Sequence, residues 1–201
     1  DVADHVPHGR QQIELFADDL SVSTWTPHDT SPAVLMDELQ EVQARTHMWG
    51  GRNQVQFDPS KEHFKIVHPI HGEGDDFKLL GTLLDCRLSM VPCIEELLSK
   101  IRPKMRALLR LQHLYSQETM LGQYKTHIWS SKEYSNGALI MAAPSQLLRL
   151  DKAQRWYVQQ LGLSDSEAFT KFNFAPPSIR RAIGMLGFLH KRTLGLCHPC
   201  L

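Results

Sequence analysis

The chain has 201 residues, a formal net charge of zero, 42% hydrophobic residues and 22% charged residues, enough for a real core in one or two domains. No apolar run of roughly eighteen residues occurs, and no positively charged start leads into an apolar stretch, so the 201 residues predict no membrane span and no secretory signal. Four cysteines (Cys86, Cys93, Cys197 and Cys200) are too few for a disulfide scaffold at this length and read as reduced thiols of an intracellular protein. The balanced charge is nevertheless polarised. Residues 1–85 hold six Lys/Arg against fifteen Asp/Glu, and residues 86–201 hold sixteen against seven. An acidic half suits metal and a basic half suits a phosphate backbone, although two solvated surfaces of opposite sign would give the same count.

In chain order, residues 1–11 form a polar loop with Pro7 and Gly9. From Gln12 to Ser23, Ile13 and Leu15 alternate with polar residues, then Leu20 and Val22 do the same, with Asp18 and Asp19 between. Period-two patterns on either side of a short polar break predict a β-hairpin reaching about Trp25, with two carboxylates at its tip. Two adjacent acids repel unless water or a counter-ion separates them, so the tip is either a solvated turn or part of a divalent-metal site. Ser31-Pro32 predicts a helix start, and Leu35, Leu39, Val42 and Thr46 carry the helical period to a stop at Gly50-Gly51.

Short strands are expected around Val55–Phe57 and around Phe64–His68, separated by an Asp58-Pro59-Ser60 turn. Phe77 to Asp85 is apolar with a central glycine, which predicts paired or bulged strands. From about Val91 the period becomes helical. The first helix is basic (Lys100, Arg102, Lys104, Arg106, Arg110) and carries Pro103 as an expected kink. Further helices are expected at about 117–131, 133–142, 144–161 and 177–194, with Gly162 ending one and Pro176-Pro177 opening the last. Trp25, Trp49, Trp129 and Trp156 read as core residues.

Several of these stretches resemble, in order, the reverse transcriptases of non-LTR (LINE-type) retrotransposons. Phe16-Ala17-Asp18-Asp19 resembles the aromatic-X-Asp-Asp turn of their third palm motif. The long helix followed by Asn53, Ser60 and Lys61 resembles their fourth motif. Phe77-Lys78-Leu79-Leu80-Gly81-Thr82-Leu83-Leu84-Asp85 resembles their "[FY]-K-[YI]-L-G-x-x-x-D" hairpin, with Leu79 departing from the pattern but keeping its apolar character. Tyr124-Lys125-Thr126-His127 sits where a thumb-like region follows. The match covers about residues 10–90 well and the helical remainder loosely.

The resemblance implies an α+β fold: a partial right-hand polymerase palm (residues 1–88, a small antiparallel sheet plus a long helix) followed by an all-helical thumb-like region (residues 89–201). It implies an RNA-directed DNA polymerase of nuclear, intracellular location. The partners are an RNA template, a DNA primer and deoxynucleoside triphosphates, with Mg²⁺ or Mn²⁺ as cofactor. Asp18 would be the principal metal ligand, Asp19 a second carboxylate, Lys61 the group facing the departing pyrophosphate, and Leu80 and Gly81 the grip on the primer end. Lys100, Arg102, Lys104, Arg106 and Arg110 would meet the duplex backbone without base readout. The family's other catalytic Asp lies on an upstream strand that these residues do not contain. That, with Asp1 in place of Met, points to a fragment of a longer protein that does not polymerise alone. The rival reading is a non-catalytic retroelement-derived remnant that binds nucleic acid.

Weaker signals are set aside on physical grounds. A metal-dependent nuclease would need further acids beside Asp18, and Asp75, Asp76 and Asp85 read instead as loop and hairpin residues. Cys197-His198-Pro199-Cys200 lacks the strand-then-helix context of a redox motif, and it is only half of a zinc site even with His190. His68-Pro69-Ile70-His71 reads as a loop.

Overall fold

In a computed structural model, residues 11–16, 19–27, 29–72 and 74–196 are described. The chain is a mixed α+β protein that divides into two compact units, Asp1–Ile66 and Val67–Leu201. The 77–84 hairpin therefore belongs with the helices, and the division falls earlier than residue 88.

In the first unit, β1 (Gln11–Phe16) and β2 (Asp19–Thr24) pair antiparallel, with Ile13 opposite Val22 and Leu15 opposite Leu20. The alternating pattern of the sequence produces this register, since a slip of one residue would exchange the two faces. Helix α1 (Pro32–Arg52) opens as expected, with the Ser31 hydroxyl accepting from the Val34 amide at 3.5 Å and proline in the first turn. It buries Val42, Thr46 and Gly50. Gly50 is required there: a Cβ at this position would stand 2.6 Å from the Val55 carbonyl oxygen. That close approach lets the Val55 amide turn back onto the Gly50 carbonyl at 2.9 Å.

The fold-back corrects one expectation. Residues 53–57 form no strand, because Gln54 takes φ 58° and Val55 bonds to the helix end instead of a neighbouring strand. Residues 64–68 form none either, and the His68 amide bonds singly to the Cys86 carbonyl at 2.9 Å.

The second unit begins with β3 (Phe77–Leu79) and β4 (Thr82–Leu84), an antiparallel pair separate from β1–β2. Helix α2 (Val91–Leu109) runs through Pro103, which lies on its exposed side. Then come α3 (Gln117–Tyr124), a π-helical turn (Lys125–Trp129), α4 (Ser130–Glu133) and α5 (Asn136–Leu139). Helices α6 (Pro144–Gln160), α7 (Asp165–Phe172) and α8 (Pro177–Thr193) complete it. Helix α7 was not expected. Its start is a full capping box between Ser164 and Glu167. The core joins Ile94, Leu98 and Ile101 of α2 to Tyr124, Ile128, Tyr157 and Phe174. Trp129 is in this core, but Trp25 is 77% exposed, beyond the end of β2, and Trp156 points away from the α6 side that buries Tyr157.

One polar knot lies inside the core. The Lys132 ammonium, on a side chain in a residue only 5% exposed, donates to Gln154 Oε1 at 3.1 Å, and Trp129 Nε1 donates to the same oxygen at 3.3 Å. Gln154 Nε2 donates to the Ala175 carbonyl at 3.0 Å. Arg180 lies over the Trp129 ring at 3.6 Å and pairs with both Glu133 oxygens, one at 2.8 Å. Arg181 grips Asp151 with two bonds of 2.8 and 3.0 Å.

Burial disfavours the charged amine and pulls the Lys132 pKa from 10.5 down to about 7, against the smaller opposing attraction of Asp151. Because the folded value lies below the unfolded one, the unfolded chain holds more protons between these two values, and stability rises with pH across that window. Replacing Lys132 by Met should remove this slope. In urea titrations, the advantage of Lys132→Met over wild type should grow by roughly 2–4 kcal/mol as pH falls through the window, then level off below it. A constant difference across that range would exclude a neutral buried amine.

Candidate nucleic-acid interface

The first hairpin closes at Phe16 opposite Asp19. Ala17 and Asp18 lie outside the described residues, so the principal predicted ligand is not located. Asp19 is exposed at the head of β2. Among the described residues, no group of three or more His, Cys, Asp or Glu is arranged to hold a metal ion.

Lys61 ends a short 3-10 turn, Pro59–Lys61, and its side chain is 82% exposed. Both flanks of this turn are fixed. On one side, Asp58 Oδ1 accepts from the Ser60 hydroxyl at 2.7 Å and the Ser60 amide at 3.0 Å. Those two bonds hold the Asp58 carboxyl below its usual pKa, the hydroxyl contributing most. On the other side, Glu62 bonds to His47 at 2.7 Å and to Gln43, both on α1. The Lys61 ammonium lies 4.0 Å from Asp58, a distance at which an exposed pair contributes little. Asn53, the asparagine of the fourth-motif resemblance, is the C-cap of α1, and its side-chain amide donates to the Trp49 carbonyl at 2.8 Å.

Leu80 and Gly81 form the two-residue turn between β3 and β4, with φ 45° and 78°. Positive φ at both central positions is the type I′ geometry that matches strand twist. Gly81 accepts it freely, whereas the left-handed conformation costs roughly 1–2 kcal/mol at Leu80. The Leu80 side chain stays 44% exposed, so burial offsets only part of that cost. The turn is docked on the segment after α4. Tyr134 Oη donates to the Leu80 carbonyl at 2.6 Å, and Thr82 Oγ1 lies 3.2 Å from Ser135 Oγ.

The five predicted cations of α2 do not form one patch. Lys100 and Lys104, four residues apart, occupy one flank. Lys100 pairs with Glu96 at 2.8 Å, and Glu96 also receives Lys78 of β3 at 3.4 Å. These contacts, the Lys100 bond first, hold the Glu96 carboxyl below its usual pKa. Lys104 reaches the His127 carbonyl and the Ser131 hydroxyl, each at 3.4 Å. Arg102, Arg106 and Arg110, each four residues from the next, lie exposed on the other flank with no partner among the described residues. Sequence reasoning missed Lys78, Glu96, Tyr134 and Ser135. The lysine sits in a quoted motif, but the 54-residue separation of Tyr134 from Leu80 leaves no local signal.

The alternative sites have structural roles or lie elsewhere. Burial pushes the Asp85 pKa up, but bonds donated by the Ser89 and Met90 amides, each at 3.2 Å, outweigh it and cap the start of α2. Asp75 and Asp76 are exposed. His68 Nδ1 accepts from the Ile70 and His71 amides at 3.1 and 2.8 Å, which makes it a turn-former. Cys86 and Cys93 are buried free thiols, and Cys197, His198 and Cys200 lie outside the described residues. A cavity of about 70 Å³ between α6, α7 and the start of α8 is far below the few hundred Å³ of a small-molecule site. Among the described residues, no helix is long and apolar enough to cross a membrane.

Compared with known proteins, the chain matches no family model, no curated protein and no solved structure.

Leu80→Asn should relieve the strained turn, because asparagine followed by glycine is the favoured type I′ pair. Its urea midpoint should rise by the equivalent of about 0.5–1 kcal/mol with an unchanged slope. A fall would show that the Leu80 side chain contributes more packing than its exposure suggests.

Proposed function

We infer that the chain is the C-terminal palm and thumb part of an RNA-directed DNA polymerase of the non-LTR retrotransposon type, which extends a DNA primer on an RNA template. The observation that supports this most is the succession of preformed elements. A hairpin with Asp19 at its closing pair is followed by a long Asn53-capped helix. An Asp58-braced turn then exposes Lys61, and a type I′ turn exposes Leu80. Each sits where the motif resemblance needs it in the sequence.

In this reading, Asp18 and Asp19 hold Mg²⁺ or Mn²⁺ together with a carboxylate from an upstream strand. The bound ions supply charge stabilisation to the attacking and leaving oxygens of nucleotide addition. Lys61 neutralises charge on the departing pyrophosphate, and the braced turn holds its backbone while the long side chain reaches out. The Leu80–Gly81 turn meets the primer end. Arg102, Arg106 and Arg110, unpaired within the described chain, meet phosphates of the template–primer duplex.

Two measurements test this. Binding of an RNA–DNA hybrid should weaken steeply with salt. Reversing Arg102, Arg106 and Arg110 to Glu should flatten the log–log slope by about 2–3, close to one for each phosphate no longer neutralised. The same slope in the variant would remove these arginines from the interface. By calorimetry, Asp18→Asn should bind Mn²⁺ more weakly than wild type, and equal binding would remove Asp18 as a ligand in this chain.

A further inference from the structure

The Leu80–Gly81 turn carries a strained, exposed leucine that costs stability without being buried in return. Strain of this kind persists only where surrounding contacts over-determine the backbone. Here those contacts come from one place. Tyr134 is 69% exposed, yet its hydroxyl donates a 2.6 Å bond to the Leu80 carbonyl. A Cβ on Gly81 would lie 3.6 Å from its ring, so the ring covers the glycine face of the turn. The next residue, Ser135, meets Thr82 at 3.2 Å.

The base of the hairpin is tied as well, through Lys78 to Glu96 of α2. On the same flank of α2, Lys104 reaches Ser131, one turn before Ser135. The hairpin is thus held at its base by α2 and at its tip by the Tyr134–Ser135 step. An exposed phenol adds little to stability but is a suitable fixture for a backbone carbonyl that has to stay in one place.

We propose that Tyr134 is the positioning residue of the hairpin tip: its hydroxyl fixes the Leu80 carbonyl, and so fixes where the Leu80 side chain and the Gly81 backbone meet the 3′ end of a nucleic-acid primer. The proposal rests on the reading of this hairpin as a primer contact. Tyr134 acts on the primer through the turn.

The test uses the whole 201-residue chain with Tyr134→Phe, which removes one hydroxyl from an exposed ring and leaves the core untouched, and Ser135→Ala as a second variant. Amide exchange at Leu79 and Thr82, the pair that closes the turn, should quicken about fivefold in Tyr134→Phe, as expected for the loss of one net hydrogen bond. Affinity is then measured for an RNA–DNA hybrid with a recessed 3′ end and for a blunt hybrid of the same length. Wild type should prefer the recessed end. Tyr134→Phe should weaken binding about fivefold on the recessed hybrid and not at all on the blunt one, a split that a purely structural role would not produce.

Unchanged exchange at Leu79 and Thr82 overturns the proposal at its geometric step. Quickened exchange with an unchanged end preference overturns the positioning role. A wild-type chain without any end preference instead overturns the primer reading itself, and the proposal with it, and is recognised before any variant is compared. Ser135→Ala should show the same two effects more weakly, and its failure to quicken exchange would also count against a tip held from this step.

Discussion

Gln154 gathers three parts of the structure onto one side chain. Its oxygen takes donors from Lys132 and Trp129, and its amide reaches the Ala175 carbonyl in front of α8. An amide can satisfy such a mixed set because it offers acceptor and donor at opposite ends. Around it, the Arg180–Glu133 and Arg181–Asp151 pairs fasten α8 to α4 and α6. A buried cation next to two guanidinium groups is tolerable only if it can give up its proton or keep its bonds, and Lys132 does both. The position of α4 follows from this knot. So does the position of the Tyr134–Ser135 step immediately after it, which meets the second hairpin.

The two units build their exposed features by the same local device. In each, a short turn holds an exposed side chain while neighbouring polar groups hold its backbone. Asp58 and Glu62 brace Lys61 from either side. Tyr134 and Ser135 brace Leu80. In both cases the bracing groups use their hydrogen-bonding capacity inside the protein and leave the presented residue free. That division of labour suits recognition of an extended charged partner better than a pocket would, since positioned side chains on rigid elements can be read along a surface.

Much of this was legible in the sequence wherever the signal was periodic or local. Alternation placed the first hairpin, and Ser31-Pro32 placed the start of α1. Gly162 marked the end of α6, with φ 73°. Failures came where a tertiary bond overrode the pattern. Val55 and Phe57 alternate as a strand would, but the Val55 amide found the Gly50 carbonyl and Phe57 packed on His47. The S-x-x-E signature at Ser164 was there to be read and announces α7. Of the proposed site, the motif residues were visible one by one. The division of the α2 cations follows from helical spacing already in the sequence. The Tyr134 bond does not, because nothing in a linear order of residues reports which distant hydroxyl will reach a turn.

The π-helical turn at Lys125–Trp129 has a consequence of its own. One extra residue per turn shifts the phase of everything that follows, which is how Ile128 and Trp129 can both face inward while Lys132, a turn later, does the same. In genetic terms, this stretch can absorb many single-base substitutions, but it has no slack for a lost or gained codon. Removing one residue would restore the ordinary helical phase and swing Lys132 and Tyr134 around the axis together. The buried knot and the hairpin tip, remote from each other in the chain, thus share one dependence on the length of five residues.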